Sequence, residues 1–363
     1  MVDLRMSDLQ EEVSMQPWRG FASDNYAGVH PQILAALTRV NSGHQIAYGD
    51  DSITAELDER MATLFGRPVG IYPVFNGTGA NIVALSSIMN QWEAVVCTNT
   101  SHLHMDEGGA PEKVAGIKLW TVPGVNGKLT PDLIPSAAQN FGSVHYAQAG
   151  AVSIAQSTEM GTVYTVEEVT AISECAHELG LRVHMDGARI ANAAVSLGVP
   201  IADFTINAGV DILSFGGTKN GMLMGEVIVV FNPDVVRGVE YFRKSFMQLN
   251  SKMRFASAQM VALLSEDLWL KSATHANDMA LKLKSAVEEI PGITIEVPTD
   301  ANAVFARLPA EVVERLQDKW RFYTWDSPTL ARWMCAWDTQ ESDVQAFAAD
   351  IATEMAAYEV SAS

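Results

Sequence analysis

The sequence predicts an α/β protein: a large domain on a mostly parallel sheet with helices on both faces, followed by a small C-terminal α/β domain. Three observations predict it. Short β-branched apolar runs recur between segments of helical spacing, the best-marked helix carries its own start and stop signals, and beyond about residue 256 long helices take over.

In chain order, residues 51–65 place Ile53, Leu57, Met61 and Leu64 on one side of a helix. Residues 79–92 repeat that spacing, with a short apolar run at 69–75 between them. The runs at 94–97, 115–122, 150–156, 181–186, 210–215 and 226–231 are short and bounded by turn formers, as strands buried on both faces are. Thr165 and Glu168 form a T-x-x-E capping box, and Gly180 stands at the stop position of that helix. Strand, capped helix, strand is the βαβ unit that makes neighbouring strands parallel. Further on, SAQMVALLSEDLW and NDMALKLKSAVEEI read as helices, and ITIEV, AVFARL and ARWMCAW as short strands. A final helix carries Val344, Phe347, Ile351 and Met355 on one face. The expected organisation is an N-terminal arm over 1–30, a large domain over 31–255 and a small domain over 256–363.

Composition bounds the partners. A chain of 363 residues exceeds the ~250–300 at which single cores usually split. Its formal net charge of −19 repels nucleic acid and anionic membranes, so any anion it binds must meet a local positive site. Cys97, Cys175 and Cys335 show no paired spacing, and neither a disulfide framework nor a metal site is expected. The opening segment MVDLRMSDLQEEVSMQPW carries acidic groups where an export signal needs an apolar run. No window of ~18 residues is apolar and uncharged, so a cytoplasmic protein is expected.

The candidate chemistry gathers at strand ends. The strand 181–186 closes on His184-Met185-Asp186 and delivers a carboxylate to the C-terminal edge, where open α/β sheets place their ligands. Asp186 has a plainer reading as a helix cap, and His184 with Asp186 a reading as metal ligands, although no third ligand lies nearby. The strand 210–215 runs into GGTKNG, where glycines on both sides of Lys219 imply a tight turn or a close approach rather than a helix surface. Lys219 and Asp186 end strands about one βαβ interval apart and reach the same rim. An amine and a carboxylate there suit pyridoxal phosphate, which needs an imine partner and an anion to keep its pyridine nitrogen protonated. The third part is FNGTGAN at 75–81, a glycine-rich strand-to-helix turn that offers backbone N–H groups to an anion. It completes neither G-x-G-x-x-G nor G-K-[ST], and in this company it reads as the cradle for the cofactor phosphate.

Over nearly its whole length the chain resembles the low-specificity threonine aldolases, fold type I pyridoxal-phosphate enzymes of the β-eliminating lyase/threonine aldolase group. The likeness runs through SDNYAGVHPQIL, YGDDSITAELDERMATLFG, FNGTGAN, SHLHMDEGGAPE, HMDGARIANAAVSLGVP, SFGGTKNG and ARWMCAWDT. Its most specific element is H-x-D-G-A-R followed about thirty residues later by the lysine motif. The resemblance implies a seven-stranded-type sheet, pyridoxal 5′-phosphate as cofactor, Lys219 as its covalent partner, Asp186 as the pyridinium partner and His102 stacked on the ring. It implies Gly77, Thr78 and Gly79 at the phosphate, and Arg189, in reach of the cofactor, with Arg332 and nearby Ser23 at the substrate carboxylate. Guanidinium forks suit that last task because they meet a carboxylate at two points. It also implies a homodimer or homotetramer in which Tyr48, toward substrate, and Arg254, toward cofactor, complete a neighbour's site.

The chain departs from the commonest family pattern in one informative place. Where many members read E-N-T-H, it reads Gln156-Ser157-Thr158-Glu159, so Glu159 replaces a histidine. It also has GGTKNG rather than S-K-G-L-G, and His104 two residues after His102. Proton transfer is thus open among His102, the first choice, His104, Glu159 and a water. The implied reaction is retro-aldol cleavage of an L-β-hydroxy-α-amino acid, such as L-threonine, L-allo-threonine or a phenylserine-like compound, to glycine and an aldehyde. β-Elimination and transamination are alternatives on the same scaffold. A non-catalytic binding module is the reading of another class, and the intact Lys219 speaks against it.

Overall fold

The structure, a computed structural model, describes residues 18–362. The arm expected over 1–30 enters at Trp18, and its residues 1–17 lie outside the described residues. The first helices are α1 (Pro31–Arg39) and α2 (Ser52–Phe65). Then follow β1 (Gly70–Val74), α3 (Gly77–Ile88), β2 (Glu93–Thr98), α4 (His102–Met105), α5 (Ala110–Lys113), β3 (Lys118–Val122), α6 (Leu133–Ala137) and β4 (Gln148–Ala155). Next come α7 (Val166–Glu178), β5 (Arg182–Gly187), α8 (Ile190–Leu197), β6 (Ile212–Gly216) and β7 (Glu226–Val230). The remainder holds α9 (Val239–Ser245), α10 (Met253–Leu264), α11 (Leu268–Val287), β8 (Thr294–Ile295), β9 (Ala303–Arg307), α12 (Ala310–Gln317), β10 (Tyr323–Trp325), β11 (Ser327–Met334) and α13 (Glu341–Ala362).

Local chemistry sets several of these ends. Asp51 starts α2 by accepting the N–H groups of Ile53 and Thr54. The capping box of α7 is present in both directions between Thr165 and Glu168, and Gly180 takes a φ of +74° just beyond its end.

Seven strands form one sheet in the order β1-β7-β6-β5-β4-β2-β3, in which β7 alone runs against its neighbours. Successive residues feed opposite faces. Val95, Ala151, Ile212 and Ile228 pack with α3, whereas Val96, Val152, Leu213 and Val229 face the other core. Burial on both faces explains why these strands read as continuous apolar runs. The register pairs Ala155 with Asp186, Asp186 with Ser214, and Glu226 with both Gly216 and Val74. The ends of β4, β5, β6 and β1 therefore meet the start of β7 along one rim.

A second, antiparallel sheet in the order β10-β11-β9-β8 carries its own core with α12, α13 and the later part of α11. Val344, Phe347, Ile351 and Met355 all point into it, as their spacing predicted. Phe21, from the opposite end of the chain, joins this core by stacking on Phe347 with ring centroids 4.7 Å apart.

Two helices differ from expectation. Instead of one helix through SAQMVALLSEDLW, α10 stops at Leu264, Glu266 and Asp267 turn through positive φ, and Trp269 already belongs to α11. α10 lies largely beyond residue 255, yet it buries Met260, Val261 and Leu263 in the large core. α11 serves both cores, with Trp269 and Ala273 in one and Met279, Leu283 and Val287 in the other. Among the described residues no helix is long and apolar enough to cross a membrane.

Candidate active site

Asp186 leaves β5 on the same face as α3. Its Oδ1 accepts the Ala188 N–H at 2.9 Å and its Oδ2 the Asn81 amide at 2.9 Å, whereas the following helix α8 is preceded by Arg189 and takes no side-chain cap, so Asp186 does not cap it. Burial opposes its charge, but His102, those N–H groups and Lys219 together hold its carboxyl below the usual range. The metal reading for His184 loses its donor. Its Nδ1 lies 2.8 Å from Ser153 Oγ and its Nε2 3.2 Å from Ser214 Oγ, and burial lowers its pKa to about 4.

Lys219 sits in the short 3₁₀ turn that follows β6. Burial first, and the neighbouring Arg189 charge second, lower its pKa, against the pull of Asp24, Asp186 and Glu226. Glu226, the first residue of β7, accepts the Gly217 N–H at 2.6 Å just before that turn. Burial raises its pKa to about 7.

At the start of α3, Asn76 accepts the Gly79 N–H on its side chain at 2.7 Å and the Ala80 N–H on its carbonyl. Gly79, expected at the phosphate, thus has its N–H committed and does not line the cavity. Its missing side chain answers to another neighbour, because a Cβ there would lie 2.2 Å from Cδ of Gln248. The N–H groups of Gly77 and Thr78, in the first helical turn, have no intrahelical acceptor. Both residues line a cavity of about 350 Å³ with Asn81, His102, Glu159, Asp186, Arg189, Lys219 and Glu226.

That cavity adjoins a wider one of about 820 Å³, and His102, Glu159, Arg189 and Lys219 line both. Ser23, His104, Trp325 and Arg332 belong to the outer one only. Ser23 Oγ accepts the Asn25 N–H at 3.2 Å, and His104 is exposed. Arg332 lies over the rings of Tyr323 and Trp325, donates to the Ala22 carbonyl at 3.3 Å, and has a buried Nε with no partner among the described residues. Arg189 is already engaged, with Nε 2.7 Å from Asp24 Oδ2 and Nη2 3.1 Å from Asp24 Oδ1.

The three candidate proton carriers separate in this setting. The His102 ring meets Glu107 Oε1 through Nδ1 at 3.0 Å, and the His102 backbone N–H donates to Glu159 Oε1 at 2.7 Å. Burial raises the Glu159 pKa to about 7, outweighing the N–H groups of His102 and of Glu159 itself that oppose it. His104 touches only the outer cavity.

Tyr48 and Arg254 stand outside both cavities of their own chain. The Lys244 amine lies over the Tyr48 ring, and Arg254 covers Phe255 while donating to the Gly43 carbonyl. Sequence reasoning missed Asp24, Asn81, Glu107, Glu226 and Asn302. The signals were faint: Asp24 follows Ser23, Asn81 lies one helical turn after Gly77, and Glu107 ends the string that begins at His102.

The sequence matches the model of the beta-eliminating lyase family over residues 20–310, and the chain belongs to that family. It is 46% identical over 339 residues to the low specificity L-threonine aldolase of Pseudomonas sp. (strain NCIMB 10558), spanning 93% of this chain and 98% of that one. The low specificity L-threonine aldolase of Pseudomonas aeruginosa is 44% identical over 339 residues, with the same coverage. Among solved structures, the threonine aldolase of Leishmania major superposes with a TM-score of 0.87 at 30% identity, covering 92% of this chain and 99% of that one. An Oryza sativa TDC solved with PLP and tryptamine has a TM-score of 0.71 at 14% identity over 93% of this chain and 84% of that one, and shares the fold. The architecture is that of the fold type I enzymes, as the sequence predicted.

Proposed function

We propose that this protein is a pyridoxal 5′-phosphate-dependent aldehyde lyase that cleaves L-β-hydroxy-α-amino acids such as L-threonine to glycine and an aldehyde. One observation carries the reading: an amine, a carboxylate and a helix N-terminus of matching chemistry converge on one cavity of about 350 Å³. The residues fit the cofactor. Gly77 and Thr78 offer N–H groups to its phosphate, Asp186 a carboxylate to its ring nitrogen, and Lys219 an amine to its aldehyde. When bound, pyridoxal phosphate supplies a sink for the electron pair released as the Cα–Cβ bond breaks.

The chain's own groups do the rest. A lowered pKa leaves a larger share of the Lys219 amine unprotonated and nucleophilic. Asp186, held ionised, would keep a proton on the cofactor's ring nitrogen. Arg332, whose Nε has no partner among the described residues, offers its guanidinium to the substrate carboxylate, while Arg189 is oriented for the same anion by Asp24. Glu159 takes the β-hydroxyl proton, since a group with a pKa of about 7 accepts and returns one readily at neutral pH. His102, its Nδ1 held by Glu107, would cover the cofactor ring.

The assembly we propose is a homo-oligomer, supported by exposed Ile46, Tyr48, Leu223 and Met224 and by Tyr48 and Arg254 lying outside their own chain's site. A cytoplasmic location is proposed from the free Cys97, Cys175 and Cys335. The test adds L-threonine to purified protein carrying the cofactor. Acetaldehyde with glycine is expected, together with a visible absorption band that Lys219→Ala abolishes. Ammonia with a keto acid, or a band unaffected by Lys219→Ala, overturns the proposal.

A further inference from the structure

A single amide ties the candidate site together. The Asn81 side-chain nitrogen, on α3, lies 2.8 Å from Glu107 Oε1 and 2.9 Å from Asp186 Oδ2, so its two hydrogens serve two carboxylates. Glu107 Oε1 also meets His102 Nδ1 at 3.0 Å, and the His102 backbone N–H reaches Glu159 at 2.7 Å. One unbroken series of contacts therefore runs from Glu159 through His102, Glu107 and Asn81 to Asp186.

Glu107 does not line either cavity. Its side chain is 0% exposed while that of His102 is 35% exposed, so the carboxylate lies behind the imidazole. Burying a carboxylate is costly, and here its Oε2 has no partner among the described residues. A loop anchor alone would be served as well by an amide, so an ionisable group there calls for a reason. His102, Glu107 and Asp186 also present ligand atoms within 4.8 Å of one another. The Asn81 hydrogens and the His102 nitrogen already bridge these carboxylates, and that is the arrangement of a fixed hydrogen-bond frame.

We propose that Glu107 is a positioning residue for the lyase reaction: it holds the His102 ring in one plane with the proton on Nδ1 and, through Asn81, fixes Asp186 in the same frame. Burial raises the Glu107 pKa against the hydrogen bonds of His102 and Asn81; in its ionised form the carboxylate only accepts, so the nitrogen facing it is then the donor, and Nε2 is the nitrogen free of a proton in the neutral ring. The charges around the imidazole agree. Burial works to lower its proton affinity and Lys219 adds to that, whereas Glu107 and Asp186 outweigh them and raise it, with Glu159 at its backbone. The inference rests on the roles given to His102 and Asp186 under Proposed function, but its test does not use the reaction.

The test is a ¹⁵N-NMR titration of the histidines in the full chain freed of cofactor, with His102 assigned by the signal lost in His102→Asn. In the native protein the neutral His102 ring is expected as the Nδ1–H form, titrating above an ordinary imidazole. Glu107→Gln is expected to lower that pKa by about one unit or more, as loss of an adjacent opposite charge does. In the enzyme carrying cofactor, it should lower kcat more than it raises KM. Glu107→Asp, which keeps the charge, should restore most of the His102 pKa. An Nε2–H ring in the native protein, or an unchanged pKa in Glu107→Gln, overturns the proposal. Should Glu107→Gln not fold, the native tautomer decides alone.

Discussion

Arg189 and Asp24 form a two-point ion pair inside the candidate site, with guanidinium nitrogens 2.7 and 3.1 Å from the two carboxylate oxygens. The Asp24 side chain is 1% exposed and that of Arg189 16%, so the carboxylate has no water to fall back on and the guanidinium little. Asn302 completes the hold by donating to Asp24 Oδ2 at 3.0 Å. A substrate carboxylate arriving at Arg189 thus meets a guanidinium whose plane is already set, which is how an ordered fork keeps its selectivity.

Asp24→Asn should therefore destabilise the protein by about 3–5 kcal/mol, because it leaves a buried guanidinium unpaired. Saturating glycine, which supplies a carboxylate but no β-hydroxyl, should restore part of that loss through binding to the folded form. Thermal melts of variant and native protein with and without glycine measure both effects. Equal stabilisation by glycine in the native protein and the variant would remove Arg189 from the carboxylate site.

Glu159 predicts a pH profile. With a pKa of about 7 it is ionised, and able to take a proton, only above neutrality. Turnover should rise with pH through about 7. Glu159→Gln should abolish that limb and lower kcat by about 10²–10⁴-fold, the usual worth of a positioned acid–base group. Glu159→His, which installs the imidazole common in the family, should recover turnover with a limb of its own. A limb that survives in Glu159→Gln would pass the role to His102.

Where sequence was enough, a short-range rule had a short-range cause. The Thr165 box, the Gly180 stop and the one-sided apolar positions of α13 all depend on neighbours within a turn or two, and all are present. The lysine turn and Asp186 were legible because strand ends are set by the same local rules, and parallel register brings them together. What stayed hidden depends on distance along the chain. Asp24 meets Arg189 across 165 positions and Asn302 across 278, and nothing in the local spacing of any of the three marks the meeting. Glu107, in a string of small and acidic residues, reads as a turn until α3 places Asn81 against it. β10 escaped notice because Tyr323 and Thr324 at this sheet edge are exposed and show no alternation.

Stability should also fall as pH rises toward and past neutrality. Glu159 and Glu226 bind their protons more tightly in the folded protein, with pKa values raised from 4.5 to about 7 by burial. Their contribution is complete below 4.5, where both states are protonated, and is lost as pH climbs through about 7. Glu226, only 7% exposed, gives the cleaner case. Glu226→Gln should gain stability relative to the native protein, on the order of 3 kcal/mol, between pH 5 and pH 8. Urea titrations at the two pH values measure the difference, and parallel pH slopes for the two proteins would contradict it.

Gly79 offers a test of how the candidate phosphate turn is braced. Its N–H already serves the Asn76 cap, and a Cβ would lie 2.2–2.5 Å from the amide end of Gln248. Gln248 in turn accepts the Phe75 N–H at 3.0 Å with its Oε1, so the side chain that would have to move is fastening the strand end just before the turn. Gly79→Ala should cost about 1–3 kcal/mol, as overpacking does, despite the better helix propensity of alanine. Gln248→Ala alone loses one hydrogen bond, about 1 kcal/mol. The double variant should lose less than the sum of the two single losses, because the added methyl then has space. A cycle built from urea midpoints decides it: strictly additive losses would show that Gln248 does not press on Gly79. Weaker cofactor retention in Gly79→Ala, recovered in the double variant, would further tie this brace to the N–H groups of Gly77 and Thr78.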